Sequence, residues 1–142
     1  MKKLLAITLL LVCAALQAQK NQFSIIFPDS LKNIAAVKYI SDSSATRAEI
    51  KVEIGKISSE NRQRYGFIFK NDSKSPLIFN WIGWGEPIFA PDRVTADPVK
   101  PGSKIEFHYT LYSSGRKGPF EKTATIRSNL GEIIIIFKGE LI

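Results

Sequence analysis

The feature that most constrains this chain is a two-residue alternation of polarity that begins after residue 47. Glu49-Ile50-Lys51-Val52-Glu53-Ile54 puts Ile50, Val52 and Ile54 on one side of an extended backbone and the charges on the other. Successive strand side chains point to opposite faces, so this segment can bury a single apolar face as a strand. Tyr65, Phe67 and Phe69 repeat the pattern, as do Ile105, Phe107, Tyr109 and Leu111. In Phe120–Ser128, Ala124 and Ile126 share one face while Thr123, Thr125 and Arg127 share the other. A helix would scatter each of these sets around its circumference.

Turn residues punctuate the strands. Asn71-Asp-Ser-Lys-Ser-Pro76 is a turn cluster, and Pro76-Leu-Ile-Phe79 opens the next strand, which runs to about Ile82. Pro98 and Pro101-Gly102 precede a strand over Lys104–Tyr112, Ser113–Pro119 is a loop, and Asn129-Leu130-Gly131 signals a tight hairpin. Ile133-Ile-Ile-Ile-Phe137 is continuously apolar. Left in solvent it would aggregate, so it belongs inside a sheet, paired with Phe120–Ser128. Short strands at this spacing predict an all-β, immunoglobulin-like sandwich of about seven strands over residues 48–142.

The start of the chain reads as an address. Lys2 and Lys3 precede an apolar run of 13 residues, Leu4–Leu16, and Ala18 supplies a small residue for cleavage. That run is shorter than the roughly 20 residues that span a bilayer. Residues 1–18 are therefore expected to be a signal peptide, with no transmembrane segment once it is removed. Cys13 follows Val12 rather than a small residue, with only nine apolar residues before it, which disfavours a lipid-anchor signal. Cleavage after Ala18 removes Cys13 and leaves a thiol-free chain whose apolar core must stabilise it in an oxidising compartment. Residues 19–47 read as an N-terminal extension. Phe23–Phe27 suits a strand, Leu31, Ile34, Ala35 and Tyr39 fit a short amphipathic helix, and Ser41–Ser44 a polar linker.

Several blocks taken together form a larger pattern. They are Phe67-Ile-Phe-Lys-Asn71, Pro76-Leu-Ile-Phe79, Pro98-Val-Lys-Pro-Gly102, Gly118-Pro-Phe120 with Lys122-Thr123, Ser128-Asn129 and Lys138-Gly-Glu-Leu141. Their order and spacing resemble an exported bacterial domain-of-unknown-function family with a PLxI…SCGC…PG…GxF…sN…G signature. That family is immunoglobulin-like and similar to abnormal-spindle, hydin and major-sperm-protein type domains. The resemblance implies a fold and an exported location, with no established activity. Where the family carries paired cysteines, this chain reads Gly83-Trp84-Gly85-Glu86-Pro87-Ile88, so thiol chemistry at that point is excluded here.

One Cys and one His cannot make a Cys/His zinc site, an iron–sulfur cluster or a disulfide framework, so no cofactor or metal is expected. The net charge of +7 falls to +5 when the two signal lysines leave. The remaining basic residues are dispersed, which argues against nucleic acid and for at most a mild attraction to anionic surfaces. Asn80-Trp-Ile-Gly-Trp-Gly-Glu-Pro-Ile-Phe89 clusters Trp81, Trp84, Glu86 and Phe89. It is either a contact loop that stacks a sugar or grips a peptide, or core packing with Trp81 plugging the sandwich. The packing reading is the stronger for Trp81, and Trp84 is balanced between the two. Arg116 and Lys117 are a second candidate contact, against the default of a solvated loop tip.

His108 shares a strand face with Glu106, a pair expected to be solvated rather than catalytic. The spacings of Asp92 with Asp97, and of Glu86 with Glu106, lend no support to a glycosidase carboxylate pair. The sequence thus predicts an exported, non-enzymatic module of the periplasm or cell surface. Its role would be binding or structural, with a protein or envelope component as partner. A carbohydrate-binding module using Trp81 and Trp84 is the alternative.

Overall fold

The computed structural model describes residues 21–41, 46–60, 62–84, 89–92, 97–113 and 115–142, with the backbone alone at Ser41, Trp84 and Asp92. The leader at 1–18, Cys13, most of the Ser41–Ser44 linker and Glu86 lie outside the described residues. The described residues form strands and no helix. In chain order the strands are β1 (Phe23–Ile26), β2 (Ala35–Ser41), β3 (Thr46–Ile57), β4 (Gln63–Asn71), β5 (Phe79–Trp84), β6 (Phe89–Asp92), β7 (Lys104–Leu111), β8 (Gly118–Ser128) and β9 (Gly131–Leu141). They make a four-stranded sheet ordered β1-β4-β7-β6 and a five-stranded sheet ordered β2-β3-β9-β8-β5.

The alternation read from the sequence sets which side of each strand is buried. Ala48, Ile50 and Val52 of β3, Tyr65, Phe67 and Phe69 of β4, and Phe107, Tyr109 and Leu111 of β7 all point inward. Ala124 and Ile126 of β8 join them. The Asn129-Leu130 turn closes the β8–β9 hairpin, pairing Ser128 with Gly131. β9 lies between β8 and β3, antiparallel to the first and parallel to the second. Its apolar run therefore has a strand on each side. Ile133, Ile135 and Phe137 are buried inward, while Ile134 and Ile136 are half-buried on the outer side.

Phe137 joins the two layers. Its ring stacks on Phe89 of β6 at 4.2 Å and meets Tyr109 of β7 at 5.6 Å, Tyr65 at 6.0 Å and Phe67 at 6.2 Å. Aromatic pairs at such separations add to the free energy of area burial.

One expectation is corrected. It concerns the N-terminal segment, whose strands belong to the two sheets. Phe23–Ile26 is a strand paired with β4, and Ala35–Ser41 is a strand paired with β3, where a helix was expected. Leu31 and Ile34 form a turn, with the Leu31 carbonyl accepting from the N–H groups of Ile34 and Ala35. The one helical turn that could form there offers little, whereas pairing along β3 satisfies the backbone over the whole of β2. Strand β1 is also tied to the other sheet, since its Ile25 N–H donates to the Tyr39 hydroxyl at 2.8 Å. Strands β3–β9 are the seven expected over residues 48–142, and β1 and β2 bring the described total to nine.

Two asparagines clamp the chain where it crosses between sheets. Buried Asn71 donates through Nδ2 to the carbonyls of Ser75 (2.8 Å) and Val99 (2.9 Å). Its Oδ1 accepts from the N–H and hydroxyl of Ser73. Asn129 accepts from the Ile78 N–H at 2.7 Å and donates to the Pro76 carbonyl at 2.8 Å. Leu77, between these anchors, exchanges both backbone hydrogen bonds with Val99. The clamp fixes where β5 begins.

Candidate functional site

Trp81 is not in the core. It is 51% exposed on the outer face of the five-stranded sheet. The cause is a bulge: Phe79 pairs with Ser128 and Trp81 with Arg127, so Asn80 is an extra residue. One inserted residue reverses the face of everything after it. Phe79 thus packs inward on Phe107 at 4.8 Å, Trp81 turns outward, and Ile82 packs against the core.

The outward ring has a prepared seat. A Cβ built on Gly83 would fall on Trp81 Cη2, with Cζ2 and Cζ3 next nearest and equally distant. An atom standing over one ring carbon along the ring normal has that relation to its two neighbours. The indole therefore lies face-down on the Gly83 Cα, parallel to the sheet, and any larger residue at 83 would lift it. Gly83 is itself buried although it belongs to the outer face. The Arg127 guanidinium carbon lies 5.1 Å from the ring centroid, within cation–π range.

The strand register extends this seat into a row. Trp81 pairs with Arg127, Arg127 with Glu132, Glu132 with Arg47 and Arg47 with Ile40, one residue from each strand of the sheet. A groove of about 730 Å³ follows the row, and Asn80 also lines it. Its charges are balanced in place, with Arg127 Nε 3.6 Å from Glu132 Oε2 and Arg47 Nη2 3.4 Å from Glu49 Oε1. Ile40, 44% exposed, closes the far end.

The other candidates are dispersed. Phe89 is 2% exposed and stacked on Phe137, so it is a core residue and not a contact residue. The backbone of Trp84 pairs with Ala124 at the end of β5. Arg116 and Lys117 are exposed on the β7–β8 connection, away from the row. His108 and Glu106 sit on the outer face of the four-stranded sheet, with Nε2 2.9 Å from Oε1 and the imidazole 3.0 Å from where a Gly66 Cβ would be. Among the described residues no three His, Cys, Asp or Glu side chains come together as a metal site. Burial pushes the Tyr65 hydroxyl up to about 12, and raises Tyr109 as well.

Sequence reasoning did not find Arg47, Glu132 or Ile40, because membership of the row depends on register. The bulge did leave a trace, since Phe79 and Ile82 are three apart where an unbroken strand would space inward residues by two.

A family model described as "Protein of unknown function (DUF1573)" matches residues 45–141. The chain belongs to the DUF1573 family. No curated protein matches it. Among solved structures, this DUF1573 chain is similar to a protein of unknown function from Porphyromonas gingivalis W83, with TM-score 0.53 and 16% identity. The match covers 76% of this chain and 46% of that one, so this chain spans about half the length of that neighbour. Similarity is lower to the VesB protease of Vibrio cholerae, with TM-score 0.44, 9% identity and coverages of 74% and 31%. The secreted serine protease VesC from the same organism gives TM-score 0.43, 11% identity and coverages of 75% and 23%. At 16% identity the likeness to the Porphyromonas gingivalis protein concerns the fold alone. The DUF1573 match stops short of β1 and β2, which complete the two sheets.

Proposed function

We propose that this DUF1573 chain is an exported, non-enzymatic, immunoglobulin-like module that acts in the cell envelope by binding, through the outer face of its five-stranded sheet. One observation carries the reading: a tryptophan is turned out of the core by a bulge and seated on a glycine beside an arginine. Exposing half an indole forgoes burial of a large apolar surface, and Trp and Arg dominate binding energy where they occur in interfaces. Export is supported by the charged, apolar and small-residue order of residues 1–18.

The test is photo-crosslinking in intact cells from a reactive side chain placed at Asn80, which lines the groove. A discrete adduct in the envelope fraction, lost when the reactive group is moved to Arg116, is the expected result. A chain retained in the cytosol with residues 1–18 attached, or no adduct from Asn80, would overturn the proposal.

A further inference from the structure

Resting on that binding reading, we infer that the occupant of the groove is a neutral glycan chain lying across the strands, with one sugar ring stacked on the outward face of Trp81. Three features converge on this ligand. The first is the attitude of the ring. An indole that serves as a protein hot spot usually inserts into a partner's pocket, whereas this one lies flat with one face against Gly83 and the other outward, half exposed beside the Arg127 guanidinium 5.1 Å from the ring centroid. A flat aromatic face parallel to the surface is complementary to the C–H face of a pyranose, which presents apolar area without needing a cavity.

The second feature is charge. Arg127 is matched by Glu132 and Arg47 by Glu49, and the row nearer the other end of the sheet places Glu53, Lys138 and Glu121 in register. A face built to hold an anion would leave cations in excess, whereas alternating signs suit a ligand with no net charge and many hydroxyls. Arginine forks and carboxylates supply donors and acceptors for vicinal hydroxyls, and Asn80 supplies both.

The third feature is length. The row crosses five strands, roughly 19 Å at the usual strand spacing, which suits a short oligosaccharide better than a single small molecule. The polar centre between an aromatic and an aliphatic end suits a ligand that stacks at one terminus and hydrogen-bonds along its middle.

Affinity electrophoresis of the folded chain through gels containing soluble neutral glucans, mannans or N-acetylglucosamine oligomers tests this, with polygalacturonate as the acidic comparator. Retardation by at least one neutral glycan is expected. The apparent Kd should rise roughly tenfold or more in Trp81→Ala and also in Gly83→Ala, which keeps the indole but removes its seat. Circular dichroism confirms that each variant is folded. Binding that survives in folded Gly83→Ala would overturn the stacking geometry. Retardation by polygalacturonate alone would overturn the neutral ligand. No retardation by any glycan, together with a protein adduct from Asn80, would overturn the glycan while leaving the binding face standing. Absence of both would remove the face as well.

Discussion

Phe137 and Trp81 are large aromatic residues of the same sheet, and they do opposite things. Phe137 faces inward and touches rings from three strands of the other layer. Trp81 faces outward, rests on its own strand and meets one side chain of the next. The contrast separates two uses of aromatic area. Enclosed on all sides it holds two layers together, and left half open over a glycine it waits for something to cover it.

The contrast breaks most visibly at Phe137. Phe137→Ala should destabilise the fold by about 4 kcal/mol, read as the shift in urea unfolding midpoint. A loss no larger than that of Trp81→Ala would mean that the layers are held elsewhere.

The clamp below Trp81 should come next. Asn71→Ala removes one of two donors from the carbonyls of Ser75 and Val99 and the acceptor of the Ser73 N–H, and should cost about 2 kcal/mol by the same measurement. If β5 depends on that clamp, the fluorescence of its tryptophans should also change.

Alkali probes the inner side alone. Tyr65 and Tyr109 have hydroxyl pKa values raised by burial, so the native state holds protons that the unfolded chain gives up near pH 10. Their contribution is complete below pH 10 and declines as pH climbs toward about 12, the Tyr65 value. The melting temperature should therefore fall above pH 10, less steeply in Tyr109→Phe. The Tyr109 hydroxyl is buried with no hydrogen-bond partner among the described residues, so the same variant should gain about 1 kcal/mol at neutral pH.

Trp81→Ala should be the mildest, costing less than about 1 kcal/mol because its ring is half solvated already. A loss near that of Phe137→Ala would show that the exposed ring is structural.

Strand β3, β4, β7, β8 and the hairpin were legible because each buries one face, and period-two polarity records that directly. The β2 strand was not, because Leu31, Ile34 and Ala35 keep helical spacing and only pairing with β3 decides against it. Phe89 was read as a loop aromatic because Gly85 and Pro87 break the local pattern, while its burial comes from strands remote in sequence. For the candidate site, Trp81 could be singled out by composition, but its side of the sheet turns on a single extra residue. Its neighbours Arg127, Glu132 and Arg47 come from three strands, and no local pattern could have assembled them.

The location of β9 has a kinetic corollary. Strand β9 is inserted between β3 and β8, with Thr46 paired to Gly131 and Ile57 to Leu141. Until residues 131–141 are in place, β2 and β3 have no neighbour joining them to β8 and β5. Closure of so long a loop places this chain among the slower folders, on the millisecond-to-second scale. Removing residues 131–141 would take away the one strand that joins β3 to β8, and should abolish the fold rather than trim it.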